Sequence, residues 1–248
     1  MKPELKQQFL DLWKKYFGSA ELPITFYYSD GDGGAEKAEK PAGRSCLICE
    51  LAKVRNGKSL YFNEDNLKCQ GAKRYLGYSE KMRPGFEYFL SCGNENMEGE
   101  RYIRTPEMVK VFMKNQKTLP VNGKNIIFKR WDKLNDSDNP DAVIFFARPD
   151  VLSGLFTLAN FDQTDPNTTI TPFGAGCGSI IHYPYLESLS DTPRAIIGMF
   201  DPSARPCVQD DVLTFAVPMK RFEKMTGYME ETFLITDTWT TVRKRINK

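Results

Sequence analysis

Five consecutive apolar residues at positions 142–146 constrain the fold of this chain more than any other segment. An uninterrupted apolar run of this length is typical of a β-strand that is buried on both faces. Segments with helical periodicity precede and follow it, and further short apolar runs lie between them. This alternation predicts an α/β or α+β fold, in which a mixed sheet is flanked by helices within a single compact domain.

Residues that favour the beginning or the end of a helix indicate the boundaries of the elements, because helices tend to begin at serine, threonine or proline and to end at glycine. Residues 30–44 carry almost no large apolar side chain, which indicates a mobile loop inside a single domain of residues 1–248. Predicted helices cover residues 3–18, 45–55, 69–76, 105–117, 149–158, 218–229 and 239–248. Predicted strands cover residues 22–28, 59–62, 86–92, 126–128, 142–146, 194–200 and 212–217.

Composition argues against several classes of protein. The chain has 34 basic and 32 acidic side chains and a net charge of +2, whereas nucleic-acid-binding proteins usually have a basic excess. The first residues lack the apolar core of a signal peptide, and no apolar run approaches the ~18 residues that cross a bilayer. We therefore expect a cytoplasmic protein that binds neither nucleic acid nor membranes. In that compartment, we expect the six cysteines to be free, metal-bound or redox-active rather than held in structural disulfides.

Three cysteines lie where helices are predicted to begin, namely Cys46, Cys69 and Cys177. In the first turn of a helix a thiol is favoured as the thiolate, because free backbone N–H groups and the helix dipole stabilise the negative charge. Thiolates bind metals and attack electrophiles. The same residues could instead pack as small buried apolar side chains.

Cys49 follows Cys46 with the spacing Cys-x-x-Cys, which places both thiols on one face of a helix. This spacing suits metal chelation or dithiol redox chemistry, and it is equally compatible with two buried structural cysteines. Cys92 and Cys207 have no distinctive setting, and we interpret them as structural.

A glycine-rich turn surrounds Cys177 and contains Gly174, Gly176 and Gly178. Glycines let the backbone approach a ligand closely, and the N–H groups of such a turn can bind an anion. A tight turn that needs small residues would explain the same sequence.

Two arginines and one histidine follow this turn in the chain. Arg194 and Arg205 could clamp a carboxylate or phosphate, although ordinary surface ion pairs would explain both. His182 is the single histidine; it could serve as a base for Cys177, but a structural role is the simpler interpretation. One histidine excludes a zinc site built on several histidines.

A set of short motifs occurs in a fixed order over residues 22–232. It comprises Cys46, Cys69-Gln70-Gly71-Ala72, Leu76-Gly77, Pro140-Asp141-Ala142-Val143, Gly176-Cys177, Pro184, Arg205, Asp210-Asp211 and Val217-Pro218. This set resembles the uncharacterised prokaryotic family called domain of unknown function 169. The resemblance implies that Cys46, Cys69 and Cys177 stand where the family tends to have cysteine. It implies no particular activity.

From these residues we expect Cys46, Cys69 and Cys177 to surround one pocket that binds an iron–sulfur cluster, zinc or another thiophilic metal. The metal would keep one position open for a substrate or take Cys49 as a fourth ligand. Two alternatives remain open. One is a metal-free module that binds a small anion at the glycine turn with Arg205, and the other is an enzyme that uses Cys69 or Cys177 as its nucleophile. The sequence does not indicate a substrate, a catalytic residue or an oligomeric state.

Overall fold

A mixed sheet runs through the middle of the molecule, in a computed structural model that describes residues 1–39, 46–80 and 82–246. In this part of the chain the sheet has eight strands, in the spatial order β2-β3-β4-β1-β5-β8-β7-β6. In chain order the strands are β1 (Ile24–Ser29), β2 (Glu36–Lys37), β3 (Leu60–Phe62), β4 (Asn125–Arg130), β5 (Ala142–Ala147), β6 (Thr169–Ile170), β7 (Ala195–Gly198) and β8 (Leu213–Pro218). Neighbouring strands are antiparallel, except that β2 and β6, with two residues each, pair in parallel with β3 and β7.

Strand β5 shows why the run at 142–146 is apolar at every position. Ala142, Ile144 and Phe146 pack into the apolar core on one face of the sheet, which we call the cysteine face. Their alternating neighbours Val143 and Phe145 pack into the core on the opposite face. Successive side chains of a strand point to opposite faces, so a strand between two helical layers requires apolar residues throughout.

Helices cover both faces of the sheet. The face opposite the cysteine face packs against α1 (Pro3–Phe17), α6 (Pro149–Asn160), α8 (Met219–Tyr228) and α9 (Asp237–Ile246). The cysteine face packs against α2 (Leu47–Arg55), α3 (Gln70–Tyr75) and a π-helical turn (Gly178–His182) that continues into α7 (Tyr183–Ser188). The short helix α4 (Phe86–Leu90) and α5 (Pro106–Asn115) contact each other away from both cores. The predicted architecture, a mixed sheet flanked by helices, is therefore confirmed.

Two local predictions differ from the structure. The sequence predicts a strand over residues 86–92, but α4 occupies residues 86–90, with the rings of Phe86 and Phe89 packed at 6.0 Å. An aromatic pair three residues apart suits a helical turn, and this spacing outweighs the weak alternation of the segment. The predicted mobile loop at 30–44 contains the edge strand β2, while residues 40–44 and the expected cap at 45 lie outside the described residues.

Among the described residues, none of the helices combines the length and the apolar character that a membrane span requires.

Candidate functional site

The three predicted cysteines each lie at a helix start. Cys46 immediately precedes α2, Cys69 precedes α3, and Cys177 precedes the π-helical turn. The sulfur of Cys69 accepts a hydrogen bond from the backbone N–H of Ala72 at 3.4 Å, which satisfies one of the free N–H groups of the first turn. The predicted positions of these cysteines at helix starts are confirmed.

All three helix starts belong to the cysteine face. Cys177 is part of the apolar core and only 8% exposed, while Cys46 and Cys69 pack against the same core and are partly exposed. Burial raises the pKa of the Cys177 thiol well above its usual range, and the neighbouring Cys69 and Cys46 raise that pKa further. Burial also raises the pKa of Cys46, again with a contribution from Cys69. The three thiols, which come from separate parts of the chain, are therefore within electrostatic reach of one another.

A carboxylate, Asp201, lies beside these thiols. Its Oδ2 atom accepts a hydrogen bond from the backbone N–H of Gly176 at 3.0 Å, and its Oδ1 atom accepts two from Ser203 at 2.8 and 3.0 Å. The negative charge of Asp201 contributes to the raised pKa values of Cys46 and Cys177. The sequence Asp-Pro-Ser signals a turn around Asp201. It gives no sign of the contact with residue 176, and for that reason sequence reasoning missed this side chain.

The structure differs from expectation at Cys49, because the sulfur of Cys49 is bonded to that of Cys207. The disulfide joins positions 158 residues apart and connects α2 to the 3-10 turn Arg205–Cys207. The expectation that the cysteines lie outside disulfides is wrong for this pair, and Cys49 cannot act as a thiolate ligand while the bond is intact. Chain spacing gives no indication of the pairing, which depends on residue 207 folding back onto α2. Cys92, interpreted as structural, is an exposed free thiol.

The glycine turn packs closely against its neighbours. A Cβ atom at Gly176 would lie 2.9 Å from that of Ala204, and one at Gly178 would lie 3.0 Å from the ring of Tyr75. At Gly174 a Cβ atom would meet only ordinary contacts, at 3.5 Å and beyond. The N–H of Gly176 donates to Asp201, and the N–H of Gly178 donates to the carbonyl of residue 175 at 2.9 Å. The anion held at this turn is thus a carboxylate of the chain itself.

The arginines expected as an anion clamp have partners within the chain. Arg205 donates to the backbone carbonyls of Gln209 at 3.1 Å, Asp210 at 2.6 Å and Val212. Arg194 forms an ion pair with Glu187 at 2.6 Å. In this conformation Arg205 holds the loop before β8 with three of its five N–H groups.

His182 is 4% exposed and lies against the rings of Tyr75 and Tyr183. Burial lowers its pKa to about 4, so the imidazole is neutral at neutral pH. Neither ring nitrogen has a side-chain hydrogen-bond partner among the described residues, so the imidazole forms no hydrogen-bonded dyad with Cys177.

Among the described residues, no group of three or more His, Cys, Asp or Glu side chains is arranged to hold a metal ion. The chemical character of the cysteine face is therefore that of three protonatable thiols, one disulfide and one carboxylate. This combination can supply soft ligands, exchange thiol for disulfide, or do both in succession.

Comparison with known proteins gives one match. No curated protein and no solved structure matches the chain significantly. A family model described as "Uncharacterised ArCR" matches residues 15–227, which include every cysteine of the cysteine face. The chain therefore belongs to the family called domain of unknown function 169.

Proposed function

We propose that this protein is a cytoplasmic protein that binds an iron–sulfur cluster or another thiophilic metal through Cys46, Cys69 and Cys177. One observation supports the proposal above the others: three thiols from three separate helix starts share one apolar core, and Cys69 contributes to the raised pKa values of both Cys46 and Cys177. Buried thiols that repel one another as thiolates remain protonated unless a cation compensates their charge. Cysteine sulfur selects soft metals such as zinc, Cu(I) and the iron of iron–sulfur clusters.

The disulfide gives this site a redox dependence. When a dithiol reductant donates two electrons, the bond between Cys49 and Cys207 breaks, two thiols form, and the reductant becomes a disulfide. Cys49 lies one helical turn after Cys46, so its released sulfur is available on the same helix start as a fourth ligand. Disulfides in cytoplasmic proteins are usually transient or redox-sensing, which agrees with a bond that opens and closes.

The number of sulfur ligands then sets the chemistry. Three cysteines leave a coordination position for a substrate, whereas four close the site and suit a structural or electron-transfer role. Asp201 adds a carboxylate that already holds the turn before Cys177 in place.

The disulfide offers a matched pair of variants to test this. Cys207→Ser and Cys49→Ser both remove the bond, and we expect each to cost a similar ~2–5 kcal/mol of stability because the same loop is released. In Cys207→Ser the Cys49 thiol is free without reductant, whereas in Cys49→Ser it is absent. After purification without oxygen, we expect Cys207→Ser to hold at least as much metal as the reduced wild type, and Cys49→Ser to hold less.

Replacing the proposed ligands one at a time tests whether each of them binds the metal. Cys69→Ser and Cys177→Ser should lose bound iron or zinc, and the exposed Cys92→Ser is the control that should keep it. A brown protein with stoichiometric iron would indicate a cluster, and a colourless protein with zinc a mononuclear site. Equal metal content in Cys69→Ser and Cys92→Ser, or no metal in any reduced form, would contradict the proposal.

A thiol-dependent enzyme is the second candidate, and Cys69 is the residue that favours it. Its sulfur is partly exposed and accepts the N–H of Ala72, an arrangement that leaves the sulfur accessible to a reagent. Cys177 is less suited to nucleophilic attack, because burial raises its pKa. A metal-free protein in which iodoacetamide alkylates Cys69 much faster than Cys92 would favour this candidate.

A further inference from the structure

A free thiol lies one helical turn before the disulfide of the cysteine face. Cys46 immediately precedes α2, and Cys49 lies in the first turn of that helix, where its sulfur is bonded to that of Cys207. The thiol of Cys46 is free and partly exposed. The start of one helix therefore carries both a thiol and a disulfide, which are the two reactants of a thiol–disulfide exchange.

The backbone keeps Cys46 and Cys49 at a separation that suits a disulfide between them. The carbonyl of Cys46 accepts the N–H of Cys49 at 3.1 Å and that of Glu50 at 3.3 Å. A hydrogen bond from an N–H to the carbonyl three residues earlier closes a turn in which the outer Cα atoms are less than about 7 Å apart, and disulfides join Cα atoms about 4.4–6.8 Å apart. Cys46 has an extended backbone, with φ −94° and ψ 133°, so it can adjust toward Cys49 without unwinding α2.

Cys207 is the residue that such an exchange releases. It ends the 3-10 turn Arg205–Cys207, and its disulfide ties this turn to α2 across 158 residues of chain. The turn directly follows the segment that contains Asp201, whose carboxylate accepts the N–H of Gly176 beside Cys177. A change of disulfide partner therefore removes the covalent tie on the segment that positions this thiol.

We propose that Cys46, Cys49 and Cys207 form a thiol–disulfide exchange site. The thiolate of Cys46 attacks the sulfur of Cys49, the Cys46–Cys49 bond forms as the bond to Cys207 breaks, and Cys207 leaves as a thiolate that takes up the proton lost by Cys46. The chain keeps one disulfide throughout, so this step needs neither an oxidant nor a reductant. It goes beyond the proposed metal site because it needs no metal, and the exchanged form withholds Cys46 and Cys49 from one.

Proximity is what favours Cys46 as the attacking residue. Burial raises the pKa of its thiol, and the backbone N–H groups of Ile48 and Cys49 act in the opposite direction. The small thiolate fraction is offset in two ways. Reaction between groups on one helix start avoids the entropy cost of bringing two molecules together, and the thiolate of a thiol with a high pKa is the stronger nucleophile.

Tryptic peptides distinguish the two disulfides in the full-length protein. Cys46 and Cys49 share the peptide of residues 45–53, whereas Cys207 lies in the peptide of residues 195–220. The bond between Cys49 and Cys207 therefore links two peptides, and a bond between Cys46 and Cys49 closes a ring within one.

The wild-type protein is incubated with a chelator, without oxygen or reductant. Its thiols are then blocked with N-ethylmaleimide in acidic denaturant before digestion and mass spectrometry. We expect the ring peptide to appear together with modified Cys207 in the wild type, and both to be lost in Cys46→Ser. Cys92→Ser, which removes the exposed thiol outside the exchange site, should behave as the wild type does.

A second variant tests the new bond by itself. In Cys207→Ser, one equivalent of oxidised glutathione should close the ring between Cys46 and Cys49 and release two molecules of reduced glutathione. Because loss of the tie to α2 could loosen the fold, the wild type, which keeps every residue, decides independently. Cys207 that stays fully linked in the wild type, or that is modified equally in Cys46→Ser, would overturn the proposal. Glutathione retained on Cys49 in a folded Cys207→Ser protein would overturn it as well. Metal content plays no part in these outcomes, so this proposal and the metal site can fail separately.

Discussion

At the scale of single residues, burial decides the charge state of the most informative side chains. Cys177 and His182 lie five positions apart in the chain, and burial raises the pKa of the thiol while it lowers the pKa of the imidazole. Both groups are thereby held neutral, the thiol as an acid and the imidazole as a base. Neither group carries a charge in the folded chain unless a partner compensates that charge.

Asp141 provides a separate test of this principle. It follows the same rule as the thiol, because burial raises its pKa to about 6 and the backbone N–H of Tyr28 offsets this only in part. The folded state then binds a proton more tightly than the unfolded state, so this residue makes stability fall as pH rises from about 4 to 6.

We therefore predict that Asp141→Asn gains stability over the wild type as pH rises. The difference should grow by about 2 kcal/mol between pH 4 and pH 7, because the carboxyl holds its proton roughly a hundredfold more tightly in the folded state than in the unfolded state. Urea denaturation of both proteins at the two pH values measures it. A difference that is independent of pH would show that the carboxyl of Asp141 titrates normally.

At the scale of elements, close approach between helices shapes the face opposite the cysteines. In α6, a Cβ atom at Gly154 would lie 2.9 Å from the ring of Phe17 in α1 and even closer to the indole of Trp239 in α9. That indole cannot easily move, because its N–H donates to the carbonyl of Tyr16 at 2.9 Å. Gly154 therefore lets three helices meet.

Two glycine-to-alanine substitutions should have opposite effects on stability. We expect Gly154→Ala to cost about 1–3 kcal/mol through overpacking. Gly227→Ala in α8 meets nothing within 4 Å, and we expect it to stabilise by about 0.5–1 kcal/mol, the difference in helix propensity. Thermal or chemical unfolding measures both. Similar effects of the two substitutions would contradict the packing described for α6.

Sequence patterns predict those elements whose signals are local. Strand β5 follows from its uninterrupted apolar run, and α5 follows from its cap, since the hydroxyl of Thr105 accepts the N–H of Met108 at 3.3 Å as the sequence Thr-Pro-Glu indicates. The same patterns do not predict the π-helical turn before α7. Pro184 lies at the start of α7 and lacks the N–H that would continue a regular helix through this point.

At the scale of the whole molecule, the features of the site that escape prediction depend on contacts between distant segments. Cys49 and Cys207 are 158 residues apart, and Asp201 reaches Gly176 across 25 residues. Neither contact leaves a periodic or spacing signal in the chain. The positions of Cys46, Cys69 and Cys177 at helix starts are predictable, because each depends on a few neighbouring residues.

The central sheet is what brings these distant segments together. Two of the three thiols precede helices in the first third of the chain, and the third follows strand β6. All three reach the cysteine face because α2, α3 and the π-helical turn pack on the same side of the sheet. The proposed metal site depends on this convergence, and reduction of the disulfide would add Cys49 as a fourth ligand.

X-ray absorption at the iron or zinc edge of the reduced, anaerobically purified wild-type protein is the decisive measurement for that site. We expect one stoichiometric metal centre with three or four sulfur neighbours at about 2.3 Å. A metal surrounded only by oxygen and nitrogen, or a reduced protein that holds no metal after supply of iron and zinc, would contradict the proposed site.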